Sequence, residues 1–117
     1  MNVLIIKLGA TGDVVRTTPL LRRLNGEVTW ITAAANTVVL QGNGHHLRCL
    51  SWEEGEKALD LHYDLTINLE DTLHVAEFLR AVRCDELFGA CCDANSSLHY
   101  TENSNRWFDL RSSVAQV

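Results

Sequence analysis

No stretch of this 117-residue sequence is long and apolar enough to span a bilayer. The apolar start is too short and too β-branched for a secretory signal, and no small-residue cleavage site follows it. Basic charge is scarce: 10 Lys and Arg stand against 15 Asp and Glu, for a net charge of −5. That balance opposes generic nucleic-acid binding, whose footprint is a basic stripe. It gives no help toward an anionic membrane surface either. The four cysteines, Cys49, Cys84, Cys91 and Cys92, include no C-x-x-C pair, so a zinc or thioredoxin-like site is not expected. They read as small apolar side chains in a reducing cytoplasm, with the adjacent Cys91 and Cys92 poorly suited to bridging each other. The five histidines, His45, His46, His62, His74 and His99, show no ligand spacing, and no metal site is expected. There is no G-x-S-x-G element, no Cys-His nucleophile pattern and no internal repeat.

What is present suits one domain with a real core: 46% of residues are hydrophobic, among them three Trp, three Phe and two Tyr. The positive charge is uneven. Lys7, Arg16, Arg22 and Arg23 fall between Met1 and Leu24, where Asp13 is the sole acid.

The opening residues are the most informative. Asn2 to Leu8 is a nearly unbroken apolar run that leads into Gly9-Ala10-Thr11-Gly12-Asp13. A buried strand entering a Gly-rich turn and then a helix is how a Rossmann-like α/β unit begins. A helix is expected from about Asp13 to Leu24, with Asp13 at or beside its N-cap. Pro19 either kinks it or starts a second helix behind Thr18. Leu20, Leu21 and Leu24 form the buried stripe, Arg22 and Arg23 face solvent, and Asn25-Gly26 closes the helix. Glu27 to Thr32 reads as strand two. Ala33 to Leu40 reads as a short helix in which Asn36 is a candidate cap. Gln41 to Gly44 reads as a loop, and Leu47 to Leu50 as strand three. Ser51 and Glu54 form a capping box for a helix over about Trp52 to Leu61, with Trp52, Ala58 and Leu59 on one face. Tyr63 to Leu69 reads as strand four. A helix from Glu70-Asp71 through Val82 carries Val75, Phe78, Leu79 and Val82 at helical spacing, with Glu77 and Arg80 on its wet side. Asp85 to Phe88 reads as strand five, ended by Gly89. Ala90 to Val117 reads as an irregular polar tail, a loop with room for one short element, and carries one aromatic pair, Trp107-Phe108.

Strands alternating with helices and no hairpin signal predict a Rossmann-like three-layer α/β/α sandwich. Its sheet is expected to be mainly parallel, with about five strands. In such sheets ligands bind outside the carboxyl ends of the strands. That places Gly9 to Asp13, Ala33 to Asn36 and Asn68 to Asp71 around one crevice.

Asp13 has two readings. It can cap the helix, worth about 1 kcal/mol, or it can act as a general base toward an attacking hydroxyl. A helix N-terminus favours the charged carboxylate, which keeps the base ionised but weakens it. Gly9 and Gly12 make either a tight turn or a set of exposed N–H groups for an anion, with Thr11 adding a hydroxyl. The turn lacks the third glycine of a dinucleotide fingerprint and the Lys-Ser/Thr of a phosphate-binding loop. Glu70 or Asp71 can cap the following helix, and Asn68 at a strand end can bind sugar hydroxyls.

Met1 to Leu24 resembles the opening of the ADP-heptose:lipopolysaccharide heptosyltransferase family. That opening is an apolar strand, Leu-Gly, a small pair, Gly-Asp-Val, and a Thr-Pro-Leu-Leu helix. Tyr63-Asp64-Leu65-Thr66-Ile67-Asn68-Leu69-Glu70 is similar to a later strand of the family, and the resemblance covers about Met1 to Gly89. The resemblance implies an inverting, metal-independent glycosyltransferase with a GT-B fold of two Rossmann-like domains. The N-terminal domain takes a glycan or lipopolysaccharide-core acceptor, and the C-terminal domain holds the nucleotide-sugar, which is a substrate rather than a cofactor. Asp13 matches the family's proposed base. The Gly9–Gly12 turn, with Thr11, would shape the cleft. Lys7 and Arg16 would meet acceptor phosphate or carboxylate groups, and Asn68 and Glu70 would complete the acceptor side. Residues 1–89 would then be the acceptor domain, 90–117 its tail, and the donor domain would be absent. The implied location is cytoplasmic, at the inner face of the bacterial inner membrane, with peripheral membrane association of the full-length enzyme.

The sequence departs from the family in two ways. It ends at Val117 where the family needs about as much again, so the chain alone is expected not to hold the donor or turn over. Its net acidity is unhelpful toward a phosphorylated acceptor, so the acceptor can be a different glycan. A non-catalytic Rossmann-like binding module is the alternative reading. A flavodoxin-like sensor would need a phosphate or cofactor loop that the sequence lacks.

Overall fold

The computed structural model describes residues 1–24, 26–41 and 46–104. Six strands form one sheet in the order β3-β2-β1-β4-β5-β6. These are β1 (Asn2–Ile6), β2 (Glu27–Thr32), β3 (Leu47–Ser51), β4 (His62–Asn68), β5 (Arg83–Cys92) and β6 (Leu98–Tyr100). The first five run parallel, and β6 pairs antiparallel with β5. The helices are α1 (Thr11–Thr17), α2 (Thr37–Leu40) and α3 (Leu73–Leu79). Short 3₁₀ segments cover Thr18–Arg23, Ala34–Asn36, Trp52–Asp60 and Glu102–Ser104.

β1 lies between β2 and β4, and Val3, Leu4, Ile5 and Ile6 are all fully buried. A central parallel strand is covered on both faces, which is why it reads as a continuous apolar run rather than an alternation. Val3, Ile5, Trp30 and Ile67 join Val14 of α1 and Leu40 of α2 in one core, with Leu20, Leu21 and Leu24 against it. Leu4, Ile6 and Ile31 join Ala58, Val75 and Leu79 in the other, with Trp52, Phe78 and Val82 against it. This is the expected three-layer sandwich.

The helical segments are shorter and tighter than the sequence predicts. The stretch after β1 breaks at Thr18, and a second helical segment does begin there, but it is 3₁₀, its cap is Thr17 rather than Thr18, and Pro19 is its second residue. Proline has no N–H for an α-helical bond at that point. Trp52–Asp60 keeps the expected capping box: the Ser51 N–H and hydroxyl both donate to Glu54 Oε1. Its inward residues Trp52, Gly55 and Ala58 recur at intervals of three, the period of a 3₁₀ helix. The helix expected from Glu70 starts only at Leu73, behind Thr72, so neither Glu70 nor Asp71 caps it.

The region after Gly89 departs furthest from expectation. β5 runs through Gly89 to Cys92 and turns back into β6, giving a sixth strand where an irregular tail was expected. Gly89 has φ +127°, and a Cβ there would stand 2.0 Å from the Asn68 carbonyl oxygen. Only glycine passes there, and beyond it β5 exchanges its parallel partner β4 for antiparallel β6. The turn is closed by Asp93, whose Oδ1 accepts from the N–H groups of Asn95 and Ser97. The Asp93-Ala94-Asn95-Ser96-Ser97 run is the hairpin signal the sequence reading passed over. Asn25, Gly42, Asn43, Gly44, His45, Trp107 and Phe108 lie outside the described residues. Among the described residues no helix is long and apolar enough to cross a membrane.

Candidate active site

The strand order reverses between β1 and β4, whose following segments depart to opposite faces of the sheet. That divergence at the carboxyl edge is where open α/β sheets bind ligands. The loop after β1, from Lys7 to Ala10, enters α1 there. It is flanked by the loops after β2 and β4.

Several groups hold the start of this loop. The Leu8 carbonyl accepts from Ala33 N–H at 3.0 Å, Asn36 Nδ2 at 2.8 Å and Thr32 Oγ1 at 3.2 Å. From the other side, Glu70 Oε1 accepts from Leu8 N–H at 2.9 Å and Gly9 N–H at 3.4 Å. Thr11 Oγ1 donates to Asn36 Oδ1 at 2.6 Å. Asn36 is buried and, despite its N-cap position before α2, makes no cap hydrogen bond. It serves the loop after β1 instead. The sequence places Asn36 at this edge and offers it as a candidate cap; the signal for its actual role is an isolated amide after three alanines at a strand's carboxyl end.

Past this anchored base the loop is open. Gly12 has nothing within 4 Å of where a Cβ would be, and at Gly9 the nearest atom is Asn36 Nδ2 at an ordinary 3.8 Å. Neither glycine has positive φ among the described residues. The expected tight turn therefore does not require them, and their effect is to leave backbone uncovered. Asp13 is the third residue of α1, not its cap, a position held by Ala10. Its carboxylate is 46% exposed and stands 3.8 Å from Arg16, which is 84% exposed. Such an exposed pair is weak and easily parted.

The remaining expected site residues lie beneath this surface. Lys7, expected to meet an acceptor anion, is 2% exposed, with its ammonium 3.6 Å from Glu70 Oε2. Asn68, expected to bind sugar hydroxyls, is fully buried. Its Nδ2 donates to the Ala90 carbonyl and its Oδ1 accepts from Glu70 N–H. A strand-end amide is polar enough to suggest ligand binding, but here β5 and the Glu70 turn satisfy it. The accessible surface at this edge thus includes Gly9, Thr11, Gly12, Asp13 and Arg16, with the Thr11 hydroxyl bonded to Asn36. Among the described residues no group of three or more His, Cys, Asp or Glu is placed to hold a metal ion.

The fold has a solved counterpart. The structure of E. coli heptosyltransferase WaaC with ADP superposes with a TM-score of 0.63 at 19% identity. The match covers 76% of this chain and 35% of that one. The chain has a heptosyltransferase-like fold. No protein-family model matches the sequence, and no curated protein matches it. The chain spans about a third of the length of the WaaC chain it matches.

Proposed function

We propose that the chain is the acceptor-binding domain of a heptosyltransferase-like glycosyltransferase, with Asp13 as the general base. The observation that carries this reading is the half-exposed Asp13 carboxylate beside uncovered glycine backbone at the β1/β4 divergence. A base must reach the proton it takes, and Asp13 is the acid on α1 that solvent reaches at this edge. In the proposed step the acceptor hydroxyl gives its proton to Asp13 as its oxygen bonds to the anomeric carbon. The bond from that carbon to the nucleoside diphosphate breaks on the opposite face, with inversion. Arg16 is free to exchange Asp13 for an acceptor phosphate or carboxylate.

The donor is proposed to be ADP-heptose, held by a second domain. The acceptor is proposed to be a lipopolysaccharide-core or related glycan, reached at the inner face of the bacterial inner membrane. No metal or other cofactor is part of this proposal, in which the nucleotide-sugar is a substrate and stabilisation of the departing diphosphate falls to the second domain.

The test is calorimetric titration of the 117-residue chain with a lipopolysaccharide-core glycan and, separately, with ADP-heptose. Saturable glycan binding that weakens in Arg16→Ala supports the reading, as does the absence of ADP-heptose binding. Binding of neither ligand would overturn it in favour of a non-catalytic module.

A further inference from the structure

Lys7 and Glu70 form an ion pair that packing alone does not account for. Lys7 follows the buried β1 run, and at 2% exposure it occupies a place where an aliphatic side chain would serve the core. Burying an ammonium is costly, and hydrophobic replacement of buried ion pairs is often neutral or stabilising. The ammonium also makes no hydrogen bond among the described residues. The nearby charge is Glu70 Oε2 at 3.6 Å, with the Glu70 side chain 13% exposed. The other Glu70 oxygen accepts from the N–H groups of Leu8 and Gly9, where the crevice loop leaves the sheet.

We propose that Lys7 and Glu70 are a positioning pair: Glu70 clamps the Leu8–Gly9 end of the crevice loop, and Lys7 holds the Glu70 carboxyl in place. The inference rests on the reading of Asp13 as base only in what the clamp is for. Glu70 comes from the loop after β4, whereas Asp13 follows β1, so the clamp ties the two sides of the divergence together. A carboxylate suits this better than a neutral acceptor, because a charged oxygen holds two amide donors more strongly. Asn36 and Thr32 fix the Leu8 carbonyl from the β2 side. Glu70 fixes the two N–H groups from the β4 side, so its loss frees one edge of the loop without unfolding it.

Amide hydrogen exchange on the 117-residue chain tests the clamp without any substrate. In Glu70→Ala the Leu8 and Gly9 amides are expected to exchange at least about tenfold faster while β2 amides keep their rates. The double variant Lys7→Met/Glu70→Gln, which keeps a carbonyl oxygen for the amides but removes both charges, is expected to exchange at these two amides faster than wild type and more slowly than Glu70→Ala, and wild-type rates in it would overturn the role of the charged pair. Wild-type rates at Leu8 and Gly9 in Glu70→Ala, or uniform acceleration across the sheet, would overturn the proposal. In a transferase supplying the donor half, Glu70→Ala is expected to lower kcat about tenfold or more at nearly constant acceptor KM. An unchanged kcat there, with Asp13→Ala inactive, would sink the positioning role and leave the base intact. Normal transfer by Asp13→Ala would instead sink the base, and the exchange rates alone would then decide the clamp.

Discussion

Thr11 donates its hydroxyl to the side-chain oxygen of Asn36 at 2.6 Å, joining the first turn of α1 to the loop after β2. Asn36 spends its amide on the Leu8 carbonyl at 2.8 Å, so one buried residue fixes both ends of the crevice loop. Asn36→Ala removes both bonds, while Ala33 and Thr32 still satisfy Leu8. The expected loss is about 1–2 kcal/mol, read as a lower urea midpoint at unchanged slope.

Gly12→Ala separates stability from binding. The residue is helical and its missing Cβ would meet nothing within 4 Å. Alanine should stabilise the chain by roughly 0.5–1 kcal/mol, through better helix propensity and a less free unfolded chain. Glycan affinity should fall because the methyl covers open backbone. A gain in melting temperature with undiminished affinity would remove Gly12 from the binding surface.

Asp13→Ala should leave the fold nearly untouched, within about 0.5 kcal/mol, because the residue is not a cap and its Arg16 contact is solvent-exposed. In a transferase that supplies the donor half, the rate should drop by about 10²–10⁴. A rate above about a tenth of wild type would exclude Asp13 as base.

Gly89→Ala should be severely destabilising. The left-handed backbone alone costs on the order of 1–3 kcal/mol for a residue with a Cβ, and here the Cβ also meets the Asn68 carbonyl oxygen at 2.0 Å. Loss of the cooperative thermal transition, or a large fall in its midpoint, is the expected result.

Acid should weaken the far edge of the sheet through Asp60. The Arg48 guanidinium hydrogen-bonds Asp60 and holds its carboxyl below the usual carboxylate range. Arg48 also donates to Tyr63 Oη and Thr29 Oγ1. A carboxyl depressed by folding binds fewer protons in the native state, so stability rises with pH across its titration. The contribution is present above the unfolded value of about 3.9 and is lost as pH falls through the folded one. Asp60→Asn should reduce the loss of stability as pH falls below the ordinary carboxylate range, measured by urea unfolding at fixed ionic strength.

The sequence by itself determined the fold class and the position of the Gly9 to Asp13 segment between the first strand and its helix. β1 is legible because a central parallel strand is apolar on both faces, β2 because it is rich in β-branched and aromatic residues, and Gly9 to Asp13 because polar punctuation follows the first run at once. The stripe of Val75, Phe78, Leu79 and Val82 likewise reports its buried face. These are local patterns with periods of a few residues. The tertiary structure decided what each polar side chain at the crevice does. Glu70 and Leu8 are 62 residues apart in the chain, yet they hydrogen-bond because β4 lies beside β1. Nothing local distinguishes a Glu that caps its own helix from one that turns back to clamp a neighbouring strand. Asn68 and Lys7 look like ligand residues for the same reason, and burial beneath the crevice gives each of them a partner within the fold. Gly89 reads locally as a strand terminator, but the Asn68 carbonyl across the ladder makes it the one residue through which β5 can continue to its second partner.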